Sequence, residues 1–219
     1  MPPEIKFCGM TRREDVDAAV AAGARYIGVI FARGPRTVTA DRARMLTRTV
    51  PHDVMRVGVF GDDTSAEAAG RIAREIGLDV IQLHGDPDAA SVAAVRAAFP
   101  GPVWAAVRLR APVLNEAALD LFRVADAVVL DAYSPNGLGG TGRRLDWVEL
   151  GPAVAAARAR AKVVLAGGLR PENVAAAVRT LRPDVVDVSS GVESSPGVKD
   201  HAKLRAFRAA VLSAEEPGA

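Results

Sequence analysis

The 219 residues carry 28 Lys+Arg against 26 Asp+Glu, a formal net charge of +2, with 49% hydrophobic and only 5% aromatic residues. Near charge balance, no block of about five like charges and few rings to stack on bases argue against nucleic acid as a partner. One cysteine forms no intrachain disulfide, no apolar run approaches the ~20 residues of a membrane span, and no basic-then-apolar segment opens the chain, so a soluble cytoplasmic protein with no membrane partner is the expectation.

Short β-branched runs alternate with longer Ala-rich segments of helical period. A strand is expected at 5–8. Thr11 with Glu14 three residues on has capping-box spacing for a helix at 13–22, and Gly23 suits its end. Strands follow at 26–31 and 56–60, with helices at 40–49, capped by Thr39, and at 64–76, ended by Gly77. A strand at 80–83 leads to a helix near 87–99 that begins on Pro87, as first helical turns allow. Strands at 103–109 and 127–131 flank a weaker helix at 114–123. A helix at 145–161, a strand at 162–166, a helix at 171–181, a strand at 185–189 and a helix at 199–212 complete the pattern, and 213–219 reads as a frayed tail.

Eight strands alternating with eight helices favour a closed parallel barrel over an open sheet. No G-x-G-x-x-G follows the first strand, against a dinucleotide-binding fold. The expected architecture is a single (β/α)8 TIM barrel at 1–212, slightly shorter than the typical ~250 residues.

Side chains alternate along a strand. Cys8 therefore shares a face with Lys6, Asp131 with Val129, His84 with Gln82 and Ser189 with Asp187. Closing the barrel brings strands 1 and 8 together, so Lys6 and Asp187 are expected to form an interior ion pair, structural in role. Cys8 ends strand 1, where a barrel keeps its chemistry. It is either a small buried hydrophobe or a nucleophile or proton acceptor, activated by nearby positive charge. Asp131 closes the apolar run Val128-Val129-Leu130 and either caps the next loop or belongs to a site. Three strands from Cys8, it would face the thiol across the mouth, an arrangement suited to moving one proton off a substrate and another onto it.

Three Gly-rich segments follow strands 6, 7 and 8: Gly139-Gly140-Thr141-Gly142, Ala166-Gly167-Gly168 and Ser189-Ser190-Gly191. Each alone is a turn. The pair after strands 7 and 8 lies where barrels bind phosphate, so a phosphorylated small molecule is the expected ligand. Arg36, in Gly34-Pro35-Arg36, is either a solvated surface residue or a two-pronged carboxylate holder. His84 either orients substrate and takes protons or is a structural, hydrogen-bonded histidine. No His/Cys/Asp/Glu cluster has metal-ligand spacing, so no metal is expected.

Taken together, these segments resemble the phosphoribosylanthranilate isomerase family of tryptophan biosynthesis. The resemblance rests on Lys6-Phe7-Cys8-Gly9-Met10-Thr11, Pro35-Arg36, Arg56-Val57-Gly58-Val59-Phe60, Gln82-Leu83-His84-Gly85, Leu130-Asp131, Gly139-Gly140-Thr141-Gly142, Ala166-Gly167-Gly168-Leu169-Arg170-Pro171 and Asp187-Val188-Ser189-Ser190-Gly191-Val192-Glu193, in family order along nearly the whole chain. It implies an Amadori rearrangement of N-(5-phosphoribosyl)anthranilate to 1-(2-carboxyphenylamino)-1-deoxyribulose 5-phosphate. Asp131 then matches the general acid at the ring oxygen, Cys8 the base at C2 and Arg36 the holder of the anthranilate carboxylate. Gly140, Gly142, Gly167, Gly168, Ser190 and Gly191 match the phosphate grip. No cofactor is implied, because the substrate's own nitrogen is the electron sink. A monomer or homodimer is expected. Two loops depart from the family pattern: Gly34 stands before Pro35-Arg36, where Ser is common, and Ala132-Tyr133 follow Asp131, where a small hydroxyl residue is common.

Two other readings remain at this point. The related histidine-pathway isomerase, or an enzyme serving both pathways, performs the same rearrangement with paired aspartates, which Cys8 argues against. A barrel that binds a phosphorylated ligand without turnover is disfavoured by the intact Cys8 and Asp131 pair. Fold alone does not choose among these.

Overall fold

In the computed structural model, residues 1–132 and 147–214 are described. Their elements in order are β1 (Glu4–Phe7), α1 (Arg13–Ala21), β2 (Tyr26–Ile30), α2 (Ala40–Thr47), β3 (Met55–Phe60), α3 (Ala66–Ile76), β4 (Val80–Leu83), α4 (Ala89–Ala98), β5 (Val103–Leu109), α5 (Glu116–Val124), β6 (Ala127–Ala132), α6 (Trp147–Ala157), β7 (Lys162–Leu165), α7 (Val174–Leu181), β8 (Val185–Val188), β9 (Glu193–Ser195), β10 (Val198–Lys199) and α8 (His201–Ser213). Strands β1 to β8 form a closed barrel in sequence order, every pair parallel, with β1 and β8 sealing the seam. This is the expected (β/α)8 TIM barrel. Of the segment 213–219, Ser213 ends α8 and 215–219 lie outside the described residues.

Alternation along the strands sorts the core into two compartments. Val128 and Leu130 of β6, and Val163 and Leu165 of β7, face the helices and join the large outer cluster. Ala127, Val129 and Val164 face inward and join Tyr26, Val57, Val80, Trp104 and Val185 in the barrel interior. Both strand faces are buried, which is why these strands read as continuous apolar runs. The same count sends Lys6 inward between Ile5 and Phe7, and Phe7 packs edge-on against Phe207 of α8 with ring centroids 6.0 Å apart.

α1 begins at Arg13 as expected, but behind Arg12, which makes no side-chain cap, and several later helices start past their expected positions. Thr11 is absent from the cap because its hydroxyl donates to the Gly197 carbonyl instead, a tertiary bond that wins over the local one. Glu14 correspondingly accepts from the Arg12 guanidinium. α3 is capped by Ser65 rather than Thr64, and α4 by Asp88, which leaves Pro87 outside the helix. In front of α7, Asn173 spends its side chain on the preceding loop, accepting from Arg170 N and donating to Gly168 O. Within the eighth unit, between β8 and α8, β9 and β10 form a two-stranded antiparallel hairpin where the sequence suggests a loop and the start of the last helix.

Candidate active site

The C-terminal mouth of the barrel gathers the polar residues. Cys8 lies one residue past β1, with its N–H donated to Val188 O at 2.9 Å, so the ladder continues through it. Its thiol is 7% exposed and rests against β2 at Gly28, where an added Cβ would come within 2.7 Å of Sγ and 3.1 Å of the Cys8 Cα. Glycine inside a strand marks close approach; here it makes room for the sulfur.

Below Cys8 lies the expected ion pair. Lys6 Nζ donates to Asp187 Oδ2 at 2.6 Å, with the two side chains 0% and 8% exposed. Burial alone would lower the Lys6 pKa, but the Asp187 carboxylate and Cys8 together raise it, so the ammonium persists. Cys8 is pulled in opposite senses. Burial pushes the thiol up and wins, while Lys6 and then Lys199 favour the thiolate.

Asp131, near the end of β6, projects into the same mouth. Burial raises its pKa, the His84 charge opposes that, and the Asp187 carboxylate adds to it. Asp131 and Cys8 thus both feel the Lys6–Asp187 pair, which forms the floor between them. His84 Nε2 stands 4.0 Å from Asp131 Oδ2, too long for a hydrogen bond. The buried Nδ1 of His84 has no partner among the described residues, so the ring is not the satisfied structural histidine that was one reading of it.

Arg36 arches over Gly9 beside Cys8; a Cβ on Gly9 would meet Arg36 Cδ at 2.6 Å. The guanidinium is not solvated. Its Nε and Nη2 donate to the two oxygens of Glu193 at 2.8 and 2.6 Å, and the side chains are 15% and 5% exposed. These hydrogen bonds to the Glu193 carboxylate hold the Arg36 pKa above its ordinary value. Lys199 Nζ, fully buried, donates to Glu193 Oε1 at 2.8 Å and to Ser189 O at 3.2 Å. Burial works to raise the Glu193 pKa, yet Arg36 and Lys199 bring it below the usual carboxylate range. Burial lowers Lys199, partly offset by Glu193.

On the far side, the loops after β7 and β8 touch. Gly167 and Gly168 have φ of 83° and 67°. Gly191 sits in a short 3-10 turn, Ser190–Val192, where a Cβ would fall 1.8 Å from the Leu169 carbonyl. Only glycine lets the two loops meet. Gly167, Gly168, Ser190 and Gly191 are therefore brought together, whereas Gly140 and Gly142 lie outside the described residues. Sequence reasoning gave Gly28, Glu193 and Lys199 no role. Gly28 carried a signal, a lone glycine within an apolar strand; the other two carried none, since the hairpin that positions them was not foreseen. Among the described residues no group of three His, Cys, Asp or Glu side chains is arranged to hold a metal ion, and no helix is long and apolar enough to cross a membrane.

Residues 5–210 match the family model described as N-(5'phosphoribosyl)anthranilate (PRA) isomerase. The chain is 43% identical over 207 residues to the N-(5'-phosphoribosyl)anthranilate isomerase of Pseudomonas fluorescens, covering 94% of this chain and 97% of that one. It is 44% identical over 205 residues to the corresponding protein of a Geobacter species, covering 93% and 95%. Among solved structures, phosphoribosyl anthranilate isomerase from Thermus thermophilus superimposes with a TM-score of 0.82 at 36% identity, covering 96% of this chain and 98% of that one. A second such isomerase, solved in complex with reduced 1-(o-carboxyphenylamino)-1-deoxyribulose 5-phosphate, gives 0.82 at 31% identity, with 96% and 99% covered. Matches spanning nearly the full length of both partners show that the chain belongs to the N-(5'-phosphoribosyl)anthranilate isomerase family.

Proposed function

We propose that this chain isomerises N-(5'-phosphoribosyl)anthranilate by an Amadori rearrangement, with Asp131 as general acid and Cys8 as general base. Asp131 gives its proton to the furanose ring oxygen, and the ring opens to a Schiff base. A carboxyl group whose pKa is raised by burial is suited to that step. Cys8 then takes the C2 proton; the C2–H bonding pair forms the C1–C2 double bond as the C=N pair moves to nitrogen, and the enolamine loses its O2 proton and gains one at C1 to become the ketone. The C2 proton is acidic once the iminium exists, so a modest base suffices. Lys6, the first of the charges that favour the thiolate, supports it in the buried floor. Arg36 holds the anthranilate carboxylate, and the paired loops at Gly168 and Gly191 hold the phosphate. His84, poised near Asp131 with an unpaired ring nitrogen, orients the substrate at the acid.

The observation that carries this reading is the placement of Cys8 and Asp131 around one buried ion pair at the catalytic end of the barrel. The test follows anthranilate fluorescence with substrate generated in place. The parent turns over, while Cys8→Ser and Asp131→Asn each lose ~10²-fold or more, the scale of acid–base catalysis. Full turnover by Cys8→Ser gives the base to another group, and an inactive parent withdraws the activity altogether.

A further inference from the structure

We propose that Glu193 is a positioning residue that aims Arg36 at the substrate and thereby makes the site select a ring carboxylate; this rests on the reading of Arg36 as the carboxylate holder. A guanidinium presents five N–H groups in a fixed plane, with two edges able to form paired hydrogen bonds. Glu193 takes one edge, through Nε at 2.8 Å and Nη2 at 2.6 Å. The edge carrying Nη1 and the second Nη2 hydrogen is left for a second carboxylate. Fixing the first edge fixes the plane of the second.

Arg36 needs such a fix. It leaves the β2–α2 loop at exposed Gly34 and Pro35, on a side chain with several rotatable bonds, and runs over Gly9 close to Cys8. Unrestrained, the guanidinium would be drawn to a Cys8 thiolate, placing a cation where the substrate must lie. Glu193 is itself held from behind. Lys199 Nζ binds Oε1 at 2.8 Å, Lys203 Nζ donates to the Glu193 carbonyl at 2.8 Å, and buried Asp15 accepts the Lys199 backbone N–H at 3.0 Å. Lys199 also preserves the charge balance. Glu193 alone would neutralise Arg36, but Arg36, Glu193 and Lys199 together leave one positive charge, matched to one incoming carboxylate. A carboxylate that brings its own cation can therefore orient an arginine without cancelling it.

Two probes separate orientation from general packing: the reduced product, 1-(2-carboxyphenylamino)-1-deoxyribitol 5-phosphate, and its phenylamino counterpart without the carboxylate. Their inhibition constants would be measured for the parent, Glu193→Gln, Glu193→Asp and Arg36→Met. Glu193→Gln is expected to weaken only the carboxylated probe, by about tenfold or more, the range of a charge-assisted hydrogen bond, and to raise KM while kcat stays within about threefold. Glu193→Asp keeps the charge but cannot span both the arginine edge and Lys199, so it loses part of the preference; this shorter variant retains the test if the Gln variant does not fold. Equal weakening of both probes, or an undiminished preference in both Glu193 variants, overturns the proposal. The arginine variant separates the two layers. A preference that survives Arg36→Met removes the carboxylate-holder reading itself, whereas one lost in Arg36→Met but kept in the Glu193 variants removes only the role of Glu193.

Discussion

Lys6 Nζ lies 2.6 Å from Asp187 Oδ2, across the seam where the first strand of the barrel meets the last. Neither group reaches solvent freely, so each is the other's buried charge partner. Removing one partner strands the other, at a cost of about 3–5 kcal/mol. Lys6→Met should therefore melt well below the parent, and Lys6→Met combined with Asp187→Leu should recover most of that loss, as measured by urea unfolding of the three proteins. A double variant no more stable than the single one would mean that the pair does not act as a unit.

The same lysine sets the state of Cys8. Burial raises the thiol pKa and Lys6 is the strongest opposing influence. Because Cys8 is the only cysteine, thiolate absorbance near 240 nm, taken as a difference from Cys8→Ser, reports it alone. The parent thiolate should appear above the ordinary thiol value of ~8.5, and Lys6→Met should shift it higher still. A thiolate formed well below that value would show that burial is not the dominant influence.

As the proposed acid, Asp131 would link activity to stability with a definite sign. Its folded pKa is raised, mainly by burial, so the fold favours the protonated form. Ionisation then works against the folded state above the unfolded value of ~3.9. Asp131→Asn should consequently melt higher than the parent near neutral pH, and the difference should shrink as pH falls through the raised folded pKa and vanish by about 4. In the same variant the residual kcat/KM should climb about tenfold per pH unit toward the thiol pKa, because no acid remains to titrate in the other direction. A flat residual profile would mean that Cys8 is not the base.

Gly28 gives a geometric prediction. An alanine there would place a Cβ 2.7 Å from Cys8 Sγ. The strand can keep its ladder, but the thiol must move. Gly28→Ala should fold, with a stability loss of ~1–3 kcal/mol from overpacking, and lose ~10²-fold in kcat/KM, the cost of misplacing a reacting group by about an ångström. Near-parental turnover in a folded variant would show that the thiol tolerates displacement.

The barrel was legible because short β-branched runs and longer segments of helical period follow one another eight times, and because Val163-Val164-Leu165 reads as a strand buried on both faces. The inward direction of Lys6, Cys8 and Asp131 followed from counting along a strand, and the Lys6–Asp187 pair from closing the circle. Helix starts were less legible. Thr11 carries a capping side chain that a tertiary partner claims, and nothing local reveals a partner 186 residues away. The Arg36 partner was invisible for the same reason: Glu193 lies 157 residues on, in a hairpin of a few residues too short to show a period.

That hairpin spans the join between the two ends of the chain. It meets the β1–α1 loop through Thr11 and Gly197, α1 through Asp15 and Lys199, and the β2–α2 loop through Arg36 and Glu193. The residues that would grip the substrate's carboxylate are thus assembled only when the eighth unit docks beside the first two. A chain arrested with seven units could have Cys8, Asp131 and Arg36 in place and still lack the counter-ion set that aims the arginine. Catalytic competence would then act as a checkpoint on ring closure, and a partly built barrel would remain silent toward its substrate.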